Sequence, residues 1–223
     1  MFERLISLVG KDKFNKLQKT KVLVIGIGGV GGYAFEALVR SGFTNITIVD
    51  GDVIEKSNLN RQIVTSSKVI GVKKVEAAKN RALDINPDIK IKTIDQFINY
   101  ENFEELLMGE EYDYVIDACD DLDLKFLLIK CSNRYKLISS MGTANKVNPS
   151  LFSITNLEKT SNDPIARILR KRVKDARINR KFKVVSSTET PIPNKGVLGT
   201  NSFIPGIAGL LCASYVFNDV IKK

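Results

Sequence analysis

Apolar positions along this chain switch between two rhythms. From Phe2 to Leu17, the apolar residues Leu5, Leu8, Val9, Phe14 and Leu17 recur at helical spacing, with a break at Gly10. "KVLVIG" (Lys21–Gly26) is instead a short continuous apolar run ending in glycine, the pattern of a strand covered on both faces. Val30, Ala34, Ala37 and Leu38 then share one helical face that stops at Gly42, and "NITIVD" (Asn45–Asp50) reads as a second strand. Strand, glycine turn, helix and strand together make one βαβ unit.

The alternation continues. "GVKKVEAAKNRALDINP" predicts a helix ending at Asn86–Pro87, because a residue before proline resists the α conformation. Strands follow at Ile89–Ile94, where apolar residues alternate with period two, and at Tyr112–Ala118. A helix over Asp121–Arg134 and a fifth strand at Lys136–Ser140 complete the series. Beyond Leu151 come a short strand in "LFSIT", a very basic helix from about Asp163 and a strand with a proline-containing loop in "KVVSSTETPIPNKG". An apolar helix from about Gly206 is the final element. The expectation is an α/β, Rossmann-like, mostly parallel sheet with helices on both faces. To it is added a basic C-terminal subregion with short antiparallel strands and the apolar helix. We read residues 1–223 as one domain, with the core in 1–150 and the basic subregion in 151–223.

Composition narrows the options. The apolar run Phe203–Phe217 holds 15 residues, with Pro205, Gly206 and Gly209 inside it. A membrane span takes roughly 20, so a buried helix is expected rather than membrane insertion. Cys119, Cys131 and Cys212 lie far apart with no CxxC pair, which fits a reducing cytoplasm and excludes zinc-ribbon spacing. There is no histidine, so no histidine base or triad is available. The formal net charge is +9, and it is unevenly placed. Residues 1–150 carry 21 Lys/Arg against 20 Asp/Glu, whereas residues 151–223 carry 13 against 5. The basic third reads as a surface for a polyanion or as a solubilising face.

"GIGGVG" matches GxGxxG through Gly26, Gly28 and Gly31, with Asp50 at the end of the second strand. Such a turn lets phosphates approach backbone N–H groups at a helix N-terminus, while the carboxylate accepts from a ribose hydroxyl. By itself this indicates a nucleotide, with NAD the default. "SNLNRQ" (Ser57–Gln62), Lys74 at the start of a helix and "DACD" (Asp117–Asp120) change the reading. C-terminal strand ends of a doubly wound sheet converge on one crevice, so Asp50, Asn60, Arg61, Lys74 and Asp120 can meet there. Two cations and a carboxylate around phosphates suit phosphoryl or adenylyl transfer, and hydride transfer needs none of them.

"VLVIGIGGVGGYAFEALVRSG", "VDGDVIEKSNLNRQI", "GVKKVEAAKNRALDINP" and "YDYVIDACD" resemble the ubiquitin-activating-enzyme-like adenylating superfamily over about residues 2–140. The resemblance implies ATP, with Gly29 at the phosphates, Asp50 at the ribose and Asp120 holding Mg²⁺. Asp52, Ser57, Asn58, Asn60, Arg61 and Lys74 would complete the nucleotide site. It also implies a homodimer in which Arg4, in "FERL", reaches the partner subunit's ATP. The chain lacks the paired CxxC motifs usual in activators of sulfur-carrier proteins, and Asp121 follows Asp120 where asparagine is common.

"NLEKTSNDPIARILRKRVK", "SSTETPIP" and "LGTNSFIPGIAGLLCASYV" extend the resemblance, towards the tRNA threonylcarbamoyladenosine dehydratases. That family implies ATP-dependent cyclisation of threonylcarbamoyladenosine beside the anticodon, through an acyl-adenylate. A sulfur-relay protein is implied as a further partner, but Leu198 stands near where longer members carry a cysteine. Between Arg167 and Lys183 lie nine Lys/Arg and one acid, Asp175. Arg167, Arg170, Lys171, Arg172 and Lys174 are therefore the expected tRNA contacts. Two other readings stay open: adenylation of a sulfur-carrier protein's C-terminal glycine, and a non-catalytic nucleotide-sensing RNA-binding module.

Overall fold

A computed structural model describes the whole chain except Met108, Lys195 and Lys223 and the side chains of Leu106 and Leu107. Seven strands form one sheet: β1 (Lys21–Ile25), β2 (Asn45–Val49), β3 (Lys90–Ile94), β4 (Tyr114–Asp117), β5 (Lys136–Ser140), β6 (Phe152–Asn156) and β7 (Lys183–Ser187). Their spatial order is β3-β2-β1-β4-β5-β7-β6, and only the β6–β7 pair is antiparallel. The basic subregion therefore extends the sheet, with β7 running parallel to β5. β1, β4 and β5 are buried on both faces because helices cover both, the condition under which strands lose their alternation.

Among the described residues, eight helices flank the sheet: α1 (Glu3–Val9), α2 (Lys11–Lys19), α3 (Gly31–Arg40), α4 (Lys74–Ile85), α5 (Phe103–Leu107), α6 (Leu122–Cys131), α7 (Pro164–Asp175) and α8 (Phe203–Lys222). Each sheet face has its own core. One joins Val22, Val24 and Ile48 to Phe35 and Leu38 of α3 and to Ala208, Cys212 and Val216 of α8. The other joins Leu23, Ile25 and Val115 to Leu124 and Leu128 of α6 and Leu169 of α7. Helix boundaries follow local chemistry. Asp121 caps α6 by accepting from the Asp123 and Leu124 N–H groups, and Asp163 caps α7 by accepting from Ala166 N–H.

One expectation is corrected and one element is new. α8 begins at Phe203 rather than near Gly206, because a proline in the first turn, here Pro205, forfeits only an N–H that has no intrahelical partner. α8 thus has 20 residues, long and apolar enough by length and composition to cross a membrane, yet half of its apolar stretch is buried in the fold. The short helix α5 carried no period that sequence reading detected.

α8 packs most extensively against α3, at very close range. A Cβ added to Gly209 would stand 2.1 Å from Val30 O, and one added to Gly29 would stand 2.9 Å from the Pro205 Cβ. The glycine turn is thus backed directly by α8.

Candidate nucleotide-binding site

At the C-terminal ends of β3, β2, β1, β4 and β5, a cleft of about 740 Å³ crosses the top of the sheet. Gly26, Gly28, Gly29, Asp50, Asp52, Asn58, Arg61, Lys74 and Asp120 all line it. The strand-end rule, applied to sequence alone, brings four of these together, Asp50, Arg61, Lys74 and Asp120. A second depression of about 560 Å³ lies at the opposite strand ends, around Lys21, Asn45 and Lys90, and holds none of the predicted residues.

The loop between β1 and α3 is shaped residue by residue. Gly26 has φ +85°, a left-handed conformation that glycine adopts without strain. Gly31 is covered by the loop: a Cβ there would stand 1.7 Å from Gly26 O, so it shapes the turn and does not line the cleft. Gly28 is the open position, where an added Cβ would meet only Gln62 Nε2, at 4.0 Å. Asp50 fixes the loop from below. Its Oδ2 accepts from Ile27 N–H at 2.6 Å, and its Oδ1 from Asp52 N–H at 2.9 Å.

Lys74 is buried: its side chain is 7% exposed, 2.5 Å from Asp52 and 3.9 Å from Asp50. Its neighbour Lys73 points outward and pairs with Asp95 at 3.2 Å. Arg61 is half-buried and donates to Ser57 O at 2.8 Å and to Asn60 Oδ1 at 2.9 Å. Ser57 and Asn60 therefore orient the arginine, while they do not line the cleft themselves. Asn58 is buried, accepting from Glu55 N–H at 3.0 Å in a capping box. Asp120 is exposed at the cleft floor. Arg4 lies on exposed α1 and does not line the cleft of its own chain.

Sequence reading missed part of the lining. Gln62 follows Arg61 directly in "NRQ"; it is buried at the cleft, and its Oε1 has no hydrogen-bond partner among the described residues. Phe97 sits just past β3 and Met141–Ala144 just past β5; both segments were findable by extending the strand-end rule to every parallel strand. Thr200, Leu198 and Pro205 arrive from distant chain and had no such signal.

Thiol chemistry is suppressed around the cleft. Burial and the adjacent Asp117 push the Cys119 thiol far above the ordinary cysteine range, and burial pushes Cys212 up to about 12. Both are protonated at neutral pH and poorly nucleophilic.

On the basic helix, Arg167, Lys171 and Lys174 are exposed. Arg170 instead donates to Thr160 O at 3.0 Å, and Arg172 to Asp123 Oδ1 at 2.5 Å. Those two arginines are tied into the fold as well as basic.

A model of the ThiF family matches residues 2–222. The chain belongs to the ThiF family. Among ThiF-family relatives, the tRNA threonylcarbamoyladenosine dehydratase of Bacillus subtilis is 36% identical, across 99% of this chain and 94% of that protein. The Escherichia coli dehydratase is 34% identical across 92% of this chain and 76% of that protein. A crystal structure of the E. coli dehydratase in complex with ATP superposes with a TM-score of 0.92 at 30% identity, covering 99% of this chain and 93% of that one. Its complex with AMP gives the same TM-score.

Proposed function

We propose that this chain uses ATP to cyclise threonylcarbamoyladenosine in tRNA, beside the anticodon, with loss of water. The observation that carries the reading is its end-to-end likeness to a dehydratase that holds ATP. The cleft's own chemistry supports it. Gly28 leaves the loop backbone open at the N-terminus of α3, where phosphates are favoured. The unpartnered Gln62 Oε1 is an acceptor for a nucleotide donor such as a ribose hydroxyl.

In this reading the ATP phosphates lie over Gly28 and Gly29, with Arg61 and Lys74 offsetting negative charge that develops during transfer. Asp50 accepts from the ribose while keeping the loop in place through Ile27. Among the described residues, no three Cys, Asp or Glu side chains cluster to hold a metal by themselves. One carboxylate together with phosphate oxygens is the usual setting for Mg²⁺, and Asp120 supplies that carboxylate. Mg²⁺ would neutralise phosphate charge there.

The substrate carboxylate attacks the α-phosphorus and pyrophosphate leaves, giving an acyl-adenylate. A nitrogen or oxygen of the same side chain then displaces AMP. An intramolecular nucleophile needs no protein nucleophile, in keeping with the protonated thiols and the absence of histidine. We assign Arg4 to the partner subunit's site in a homodimer, and Arg167, Lys171 and Lys174 to tRNA phosphates. The three free cysteines suit a cytoplasmic setting.

The test is mass spectrometry of nucleosides from tRNA incubated with the protein and ATP. The expected result is conversion of threonylcarbamoyladenosine to a species lighter by one water, with AMP released. Unchanged tRNA, with pyrophosphate exchange that requires a small carrier protein, would replace this reading by carrier-protein adenylation.

A further inference from the structure

Directly under the cleft floor a lysine is sealed inside the protein. Lys125 of α6 is 1% exposed, and Asp117, at the end of β4, is 0% exposed. Lys125 Nζ lies 3.0 Å from both Asp117 oxygens and donates to Ser140 O at 2.9 Å. The Ser139 hydroxyl also donates to Asp117. Burial is the largest influence and pushes the lysine's pKa down, but the charge and hydrogen bond of Asp117, together with Cys119 and Cys212, outweigh it and leave it above the ordinary lysine value. The geometry, with the ammonium equidistant from both carboxylate oxygens, is that of a buried ion pair.

Stability does not account for such a pair. Replacing a buried ion pair with apolar groups of similar volume is often neutral or stabilising, because desolvation costs about as much as the attraction returns. Its placement does account for it. Asp117 Oδ1 also accepts from the Cys119 N–H at 3.3 Å and from its thiol at 3.0 Å, which fixes the turn leading to Asp120. That turn is pressed against the glycine loop: a Cβ on Gly26 would stand 2.9 Å from Ala118 O, and one on Gly31 would stand 3.2 Å from Ala118 Cβ. On the far side, Asp121 caps α6, the helix that returns Lys125 to the network. Ser140 in turn leads into the Met141–Ala144 wall. A single ammonium thus joins two strand ends and a helix at the point where Asp120 emerges.

We propose that Asp117 and Lys125 are positioning residues of the ATP site, their buried ion pair fixing the Ala118–Asp121 turn so that the Asp120 carboxylate faces the phosphates. The inference rests on the assignment of Asp120 to that site. Groups held in place by packing and hydrogen bonds need no reorganisation when the reaction occurs.

A double-mutant cycle tests this. Asp117→Asn with Lys125→Met neutralises the pair, and it is made in the wild-type and Asp120→Ala backgrounds. The expected results are a urea midpoint no lower than that of wild type and a kcat for AMP release lower by about tenfold or more, with KM for tRNA within about threefold. In the Asp120→Ala background the same replacement should change kcat by less than about twofold, since residues acting through one group are not additive. Equal losses in both backgrounds, or full activity of the folded neutral variant, overturn the inference. Should the neutral pair fail to fold, Ser139→Ala removes one bond to Asp117 at little structural cost. It should show a smaller loss with the same dependence on Asp120, and equal loss in both backgrounds or none in either again overturns the inference. If wild type releases no AMP with tRNA, the proposed function fails. The positioning inference is then decided by calorimetric Mg·ATP affinity across the same four proteins, where coupling supports it and additivity overturns it.

Discussion

Two glycines of one motif should fail in opposite ways when each becomes alanine. At Gly28 the added methyl meets nothing closer than 4.0 Å, and the backbone is not in the left-handed region. Folding stability should therefore hold or rise by about 0.4–1 kcal/mol, because alanine restricts the unfolded chain. The methyl nevertheless projects where a phosphate should contact the backbone. Losing one hydrogen bond to a charged group costs about 1.5–3 kcal/mol, which raises the ATP Kd by roughly ten- to hundred-and-fiftyfold. At Gly31 the methyl would sit 1.7 Å from Gly26 O, well inside an ordinary carbon–oxygen contact of about 3.3 Å. The backbone must move, and overpacking of this kind costs about 1–3 kcal/mol or more. Urea unfolding and ATP titration calorimetry on both variants separate the effects. A Gly28→Ala protein that binds ATP like wild type would refute phosphate placement over that residue, and a Gly31→Ala protein as stable as wild type would refute the packing argument.

Other outcomes follow from the same geometry. Mixing Arg4→Ala with Asp120→Ala, each of low residual activity, should restore about a quarter of wild-type turnover, because half of randomly exchanged dimers carry one intact site of two; no recovery, with exchange demonstrated, would falsify the shared site. Replacing Arg167, Lys171 and Lys174 with glutamine should reduce the log–log salt slope of tRNA binding by about 0.7–0.9 per lost phosphate contact, with ATP affinity in the absence of tRNA unchanged. An unchanged slope moves the tRNA surface elsewhere. Burial raises the Glu36 carboxyl pKa, but the hydrogen bonds and charges of Arg81 and Arg40 outweigh that and hold it below the ordinary glutamate value. Its stabilising contribution is complete above the unfolded-state value and disappears as pH falls through the lower folded-state value. Glu36→Gln should therefore flatten the fall in melting temperature on the acid side, and a parallel acid limb would contradict the pairing.

The sheet was largely legible because its signals are local. Lys21–Ile25 carries a continuous apolar run, Asn45–Val49 is rich in β-branched residues, and Asn86–Pro87 marks a helix end with a steric cause. The cleft was legible through topology, since strand ends converge whatever residues occupy them. What escaped was the destination of individual charges. Lys125 and Lys146 carry no sequence signal that singles them out, yet both are sealed against aspartates, Asp117 and Asp163. Their partners lie 8 and 17 residues away on other elements, so no local pattern announces them. Arg170 and Arg172 were likewise taken as free phosphate contacts, because helical spacing does not say which long side chains fold back.

The packing of α8 behind the glycine turn sets an order of events during synthesis. Every strand of the sheet, and with them Asp50, Arg61, Lys74 and Asp120, precedes α8 in the chain. A ribosome-bound intermediate can therefore own all four of these residues while the surface that Gly29 and Val30 lean on is still untranslated. Until then the face of α3 that α8 covers is exposed and the glycine turn stands without its backing, which leaves that face open to premature association of the nascent chain.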